Sequence, residues 1–356
     1  MNVICFDLEG PISPQDNAYE VMGLIPRGYE IFEVISRYDD ILTLEGRKNY
    51  EPGDTLSLII PFLLYHEITE RDIRRISDKA RIVDGVPYVV SRLKELDWEP
   101  YIISTSYEQH ALNIADRIGI PRENTYCTSL KLDKLREETN GLDFSSVEDV
   151  ENILYHSLDD RKIKEILDRF FWKTLPKTGL RDIIRKVEVV GGGRKVSSLY
   201  KISEKTGKSL SEMIVVGDSI TDSKMLSEVK SKGGISVVFN GNRFSIPYGN
   251  VGLASSDMRF ILVIIWAYMC GGKESSLNAV REWEKNRDEF LKNPDQIPES
   301  LIPEDVRDFL KENLDKNFVH PYFHYLNGIT KEKQERVVRI HSMVRSFVRG
   351  EAAKLG

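Results

Sequence analysis

The residues with the clearest chemical potential open the chain. In MNVICFDLEG, Asp7 and Glu9 follow the apolar run Val3 to Phe6 and precede Gly10. Two carboxylates spaced i, i+2 at the carboxyl end of a short strand are the equipment of a nucleophile and an acid/base partner around a hard metal ion. A second apolar run, Ile214-Val215-Val216-Gly217, ends the same way, in Asp218-Ser219-Ile220-Thr221-Asp222. The glycine permits a sharp turn after the strand. Carboxylate oxygens gathered from the two runs, with waters, make an octahedral Mg²⁺ site. An isolated aspartate after a strand is often only a turn former or helix cap, but two such runs in one chain favour a site.

Two further stretches add weaker signals. Ile102-Ile103 leads into Ser104-Thr105-Ser106, and hydroxyl and backbone N–H groups at such a turn can hold a phosphate oxygen. On its own, a Ser/Thr helix cap accounts for that stretch as well. Lys195 follows Gly191-Gly192-Gly193, 23 residues before Asp218. A lysine facing carboxylates and a phosphate would neutralise their mutual repulsion. Only its position separates Lys195 from surface lysines, and Arg194 and Lys201 are its rivals.

These groups need a scaffold that aims strand ends at one place. Short β-branched runs recur at Val3–Phe6, Tyr101–Ile103, Ile214–Val216, Ser236–Phe239 and, more weakly, Val251–Ala254. Helical periodicity separates several of them, over Val86–Leu96, Ser197–Thr206 and Asp222–Val229. Strands alternating with helices predict an α/β protein with a Rossmann-like parallel sheet, whose ligands bind at the strands' carboxyl ends. The core is expected over 1–13, 82–130 and 190–256. Residues 14–81 read as a helical cap inserted after the first strand, with Thr69 and Asp72 as a helix-capping pair. Residues 131–189 read as a second, charged insertion. Residues 257–356 read as a helical C-terminal extension punctuated by prolines.

Composition narrows the function. The chain has 356 residues and a net charge of −6, so it lacks the overall cationic field of a nucleic-acid-binding protein. Three dispersed cysteines form neither a disulfide framework nor a metal-binding pattern, as expected of a cytoplasmic protein. The longest apolar run, Phe260–Cys270, has 11 residues, against the about 20 needed to span a membrane; a buried helix is expected there. The acidic pairs Asp39-Asp40 and Asp159-Asp160 are expected on solvated surfaces.

In order, Asp7-x-Glu9, Ser104, Lys195 and Gly217-Asp218-x-x-x-Asp222 resemble the four motifs of the haloacid dehalogenase-like hydrolase superfamily. The DLEG sequence and the Ser-x-Ser-Tyr continuation are most similar to its phosphoserine phosphatase-like branch. A narrower resemblance is to an archaeal group of the superfamily labelled energy-converting hydrogenase A subunit R. The resemblance implies Mg²⁺-dependent hydrolysis of a small phosphorylated metabolite through an aspartyl-phosphate on Asp7. It implies that Glu9 is the acid/base group and that its backbone carbonyl joins Asp7 and Asp218 on the metal. Ser104 and Thr105 would hold the phosphoryl group, Lys195 would steady Asp7 and the phosphate, and Asp222 would support the lysine or a metal-bound water. Most phosphatases of the superfamily carry Asp where this chain has Glu9, which leaves water or an alcohol as the acceptor. The competing expectation is a low-turnover assembly subunit that keeps the fold and docks a protein partner through its C-terminal extension.

Overall fold

The run Val3–Phe6 lies within strand β1 (Asn2–Phe6), and it is apolar throughout because both of its faces are covered. Ile4 and Phe6 join the apolar layer on one side of the sheet, while Val3 and Cys5 join the layer on the other. The remaining strands are β2 (Trp98–Tyr107), β3 (Thr125–Thr128), β4 (Met213–Gly217), β5 (Ile235–Phe239), β6 (Val251–Ala254) and β7 (Tyr322–Tyr325). They form one seven-stranded sheet in the order β3-β2-β1-β4-β5-β6-β7. All neighbours pair in parallel except β6 and β7, which are antiparallel. This is the expected Rossmann-like α/β fold, in a computed structural model that describes residues 1–155, 159–314 and 318–355.

Helices Val86–Glu95 and Glu108–Ile118 cover one face of the sheet; Gly193–Thr206, Ser223–Ser231 and Lys331–Arg349 contribute to the layer on the other. Helix Glu70–Asp78 starts on the anticipated cap. The Thr69 hydroxyl accepts the Asp72 N–H, and the Asp72 carboxylate accepts the Thr69 N–H. The helices of 14–81 and those of 131–189 share one apolar core, in which Ile31, Phe32 and Tyr38 pack with Val147, Leu167 and Phe171.

Three local differences from the sequence reading have physical causes. The strand expected to stop at Ile103 continues through Ser104, Thr105 and Ser106 to Tyr107; its backbone gains a parallel partner there, with Tyr107 opposite Thr128, and Ser104 Oγ accepts the Ser106 N–H within the strand. The helix expected over Thr55–His66 is interrupted at Ile59; Pro61 has no N–H to give the Ser57 carbonyl, and it suits the first turn of the second helix, Ile60–Tyr65. The C-terminal extension is helical but also supplies β7, whose backbone gains partners by pairing with β6.

One helix, Met258–Lys292, is long and apolar enough to cross a membrane by length and composition, and half of its most apolar window is buried. Gly271 and Gly272 leave helical geometry, so the apolar half ends there. That half supplies Ile261 to Ile265 to the core beneath the sheet.

Candidate active site

Sheet order explains how residues 211 positions apart become neighbours. β1 and β4 pair directly, with Phe6 opposite Val216, and the Asp7 N–H donates to the Val216 carbonyl at 2.8 Å. Connections leave β1 toward one edge of the sheet and β4 toward the other, so the crevice between their carboxyl ends is the topological switch point. Asp7, Asp218 and Asp222 converge there, each offering an oxygen within 4.8 Å of the others, and all three are buried.

Lys195, in the first turn of helix Gly193–Thr206, joins the three aspartates. Its Nζ lies 2.7 Å from Asp7 Oδ1 and 2.7 Å from Asp222 Oδ1. The ammonium is fully buried. Burial alone would lower its pKa, but Asp222 and Asp7 more than offset that and hold it protonated. Asp222 Oδ2 accepts the N–H groups of Asp218 and Ser219 at 2.9 and 3.1 Å, which fixes the turn carrying Asp218. The rivals of Lys195 lie elsewhere: Arg194 pairs with Asp54 at 2.5 Å, and Lys201 is exposed.

Gly10 makes room for this cluster. Its φ is +116°, and a Cβ there would lie 2.3 Å from Asp218 Oδ2. Any side chain at position 10 would both strain the backbone and displace the carboxylate.

Glu9 lies at the rim of the cluster. Its Oε1 accepts the Asn17 N–H at 2.9 Å and stands 4.0 Å from His110 Nε2. Burial first, then the Asp16 carboxylate, pushes Glu9 up to about 8. Asp7 is also pushed upward, by burial and then by Asp222, while Lys195 pulls it the other way. Ser104 is fully buried, and its Oγ accepts the Ser106 N–H at 3.0 Å. Thr105 lines the cavity over the cluster, while its carbonyl accepts the Thr128 hydroxyl at 2.6 Å. That cavity holds about 60 Å³, with Asp7, Glu9, Thr105, Ser219, Arg345 and Arg349 among its walls.

Arg345 and Arg349 are the functional candidates that sequence reasoning missed. They project from the C-terminal helix Lys331–Arg349, and both are buried. Both guanidiniums reach Asp218 Oδ2, Arg349 at 2.9 Å and Arg345 in closer contact. Arg345 also donates to the carbonyls of Ala353 and Leu355 at 3.1 and 2.9 Å, and Arg349 to that of Pro14 at 3.0 Å. A faint signal existed. Val337, His341, Arg345 and Arg349 recur every four residues along the buried face, so the arginines continue an inward stripe.

Asp39 corrects the expectation of a solvated acidic pair. It is buried, accepting the Tyr50 hydroxyl at 2.6 Å and the Gly53 N–H at 3.0 Å. Burial raises it to about 7, although both donors pull it down. The folded protein therefore keeps a proton that the unfolded chain sheds near pH 4. The stability linked to this group is complete below about pH 4 and declines as pH rises to about 7, by up to about 1.4 kcal/mol per pH unit. Urea denaturation from pH 4 to 8 should show a flatter pH dependence for Asp39→Asn than for wild type. Parallel curves would refute the assignment.

No family model and no curated protein sequence matches the chain. Among solved structures it is similar to gene product AF1437 from Archaeoglobus fulgidus, at 27% identity and a TM-score of 0.76, over 100% of this chain and 99% of that one. The shared architecture thus includes the C-terminal extension. Its structural neighbours also include a substrate-bound phosphoserine phosphatase, at 15% identity and TM-score 0.48 over 73% of this chain and 96% of that one. A HAD family hydrolase from Salmonella enterica matches at 10% identity and TM-score 0.42, over 67% of this chain and 62% of that one.

Proposed function

We propose that the protein is a phosphomonoester hydrolase of the haloacid dehalogenase-like type, acting on a small phosphorylated metabolite with Asp7 as nucleophile. The observation that carries this reading is the buried constellation at the switch point. Asp7 shares Lys195 with Asp222, and Asp218 stands beside them. A fold has no packing need for three buried carboxylates gathered with Lys195, Arg345 and Arg349 at one strand-end crevice, because buried charges, even paired, are costly to remove from water.

The donor set fits a hard divalent cation. It is all oxygen, and Asp218 Oδ1 is buried with no hydrogen-bond partner, leaving a carboxylate lone pair to be satisfied. Asp7, Asp218 and the Glu9 backbone carbonyl would hold Mg²⁺, which when bound offsets the charge of the phosphate and of its carboxylate nucleophile.

The chain's own groups supply the rest. The Asp7 carboxylate attacks phosphorus, the ester oxygen leaves, and an aspartyl-phosphate remains. Glu9, held by the Asn17 N–H, gives its proton to the departing oxygen and then takes one from a water or alcohol, whose oxygen bonds to phosphorus as the Asp7–phosphorus bond breaks, releasing phosphate or a new ester and restoring the Asp7 carboxylate. Lys195 keeps Asp7 in place and balances its charge. Thr105, on the cavity wall, and Ser104 with its backbone neighbours receive the phosphoryl oxygens. Asp222 holds both Lys195 and the turn that carries Asp218. The test is phosphate release from an aryl phosphate and from a panel of phosphorylated metabolites in the presence of Mg²⁺. Turnover of at least one compound is expected; release from none of them would overturn the reading.

A further inference from the structure

The C-terminal helix places two positive charges on the carboxylate that a divalent cation would need. Arg345 and Arg349 both hold Asp218 Oδ2, while Asp218 Oδ1 faces the cluster without a partner. Around the switch point the three carboxylates of Asp7, Asp218 and Asp222 face three cations, Lys195, Arg345 and Arg349. Charge is already balanced among these six side chains, so a divalent cation at Asp218 would compete with the two guanidiniums for that carboxylate where screening by water is weak, with Glu9 and Asp16 among the further acids on the cavity wall.

We propose that Arg349, together with Arg345, is a built-in competitor for the divalent cation at Asp218. Guanidinium and cation hold the same carboxylate in alternation, and the C-terminal helix thereby sets the metal affinity of the site. The inference rests on the metal-site reading given above, and it adds a regulatory role for the extension.

The local geometry lets Arg349 be the residue that moves. It is the last residue of the helix, and Gly350 follows with a φ of +56°, a conformation that frees the chain direction at that point. Beyond the Asp218 pair, Arg349 is bonded through Nε to a single backbone carbonyl, that of Pro14. Arg345 donates to the Ala353 and Leu355 carbonyls, so it is tied to the C-terminal segment 350–355 and would be loosened together with it. The helix itself is anchored further back, where His341 Nδ1 accepts the Gly241 N–H at 3.0 Å. A shift of Arg349 and of residues 350–355 would also enlarge the cavity, because Arg349 and Leu355 form part of its wall. At about 60 Å³ the cavity is far below the several hundred Å³ typical of ligand pockets.

Direct Mn²⁺ titration of the full chain, followed by electron paramagnetic resonance of the free ion, tests this without relying on turnover. Arg349→Met should bind Mn²⁺ at least tenfold more tightly than wild type, and Asp218→Asn should lose binding. In wild type, Mn²⁺ should also speed amide hydrogen exchange in residues 350–355, a readout that needs no variant to fold. Equal or weaker Mn²⁺ binding by Arg349→Met, with Asp218→Asn still impaired, would overturn the competition and leave the metal site standing. Failure of every form to bind Mn²⁺ would overturn the metal-site reading and this inference with it.

Discussion

Asp7→Asn is expected to reduce phosphate release by at least about a thousandfold while leaving the protein folded. The substitution keeps the shape of the side chain, and the amide oxygen can still accept the Leu8 N–H that Asp7 Oδ1 accepts at 2.8 Å. What it removes is the negative charge on which the proposed nucleophilic role depends, and losses of this order or larger follow removal of a covalent nucleophile. Folding should survive because Lys195 retains Asp222 at 2.7 Å and one buried negative charge is gone from a cluster of carboxylates. The informative measurement pairs steady-state release with acid-quench trapping of labelled phosphate on the protein. Wild type should carry trapped label and the variant none. Residual activity within tenfold of wild type would remove Asp7 from the nucleophile's role and pass the question to another buried acid.

Lys195→Met is expected to have the largest effect on stability, a loss of about 3–5 kcal/mol. The side chain is buried without solvent contact and neutralises two carboxylates at once. Methionine fills nearly the same space, so the cost reflects charge rather than a void. Removing one partner of a buried ion pair is far more damaging than replacing the whole pair, because the remaining charge keeps its desolvation penalty. Double substitution tests that logic: Lys195→Met with Asp222→Asn should recover part of the loss, as coupled sites do. Denaturation midpoints of the two variants measure it. A single variant within about 1 kcal/mol of wild type would show that the carboxylates are neutralised by something other than the lysine.

The sequence exposed the parts of this site that depend on local pattern. Val3–Phe6 and Ile214–Gly217 are continuous apolar runs ending in acids, and strands buried on both faces leave that mark whatever surrounds them. Thr69 and Asp72 were legible for the same reason, since a capping pair is a four-residue device. What was not legible depends on partners far along the chain. Asp39 has the type and spacing of a surface acid, and only the packing of Tyr50 and the Gly53 turn buries it. The four residues of β7 become a strand because β6 offers an edge. Arg345 and Arg349 are two of 50 basic residues, and only the position of Asp218 gives them a partner within the core. Lys195 falls between these cases. Its place after a glycine run marked it, and its two carboxylate partners could be identified only once β1 and β4 were seen side by side.

The position of β1 has a consequence for how the chain is made. β1, made before the other six strands of the sheet, is an interior strand, flanked by β2 and β4. Its neighbour on the Asp218 side begins at Met213. At synthesis rates of about 5–20 residues per second, that neighbour arrives roughly 10–40 s after β1. Until then, one apolar edge of VICF is exposed or held by provisional contacts, in a topology whose long-range pairings favour slow folding. The helix carrying Arg345 and Arg349 is made later still. Every residue of the acidic cluster is therefore made before the two arginines that pair with Asp218.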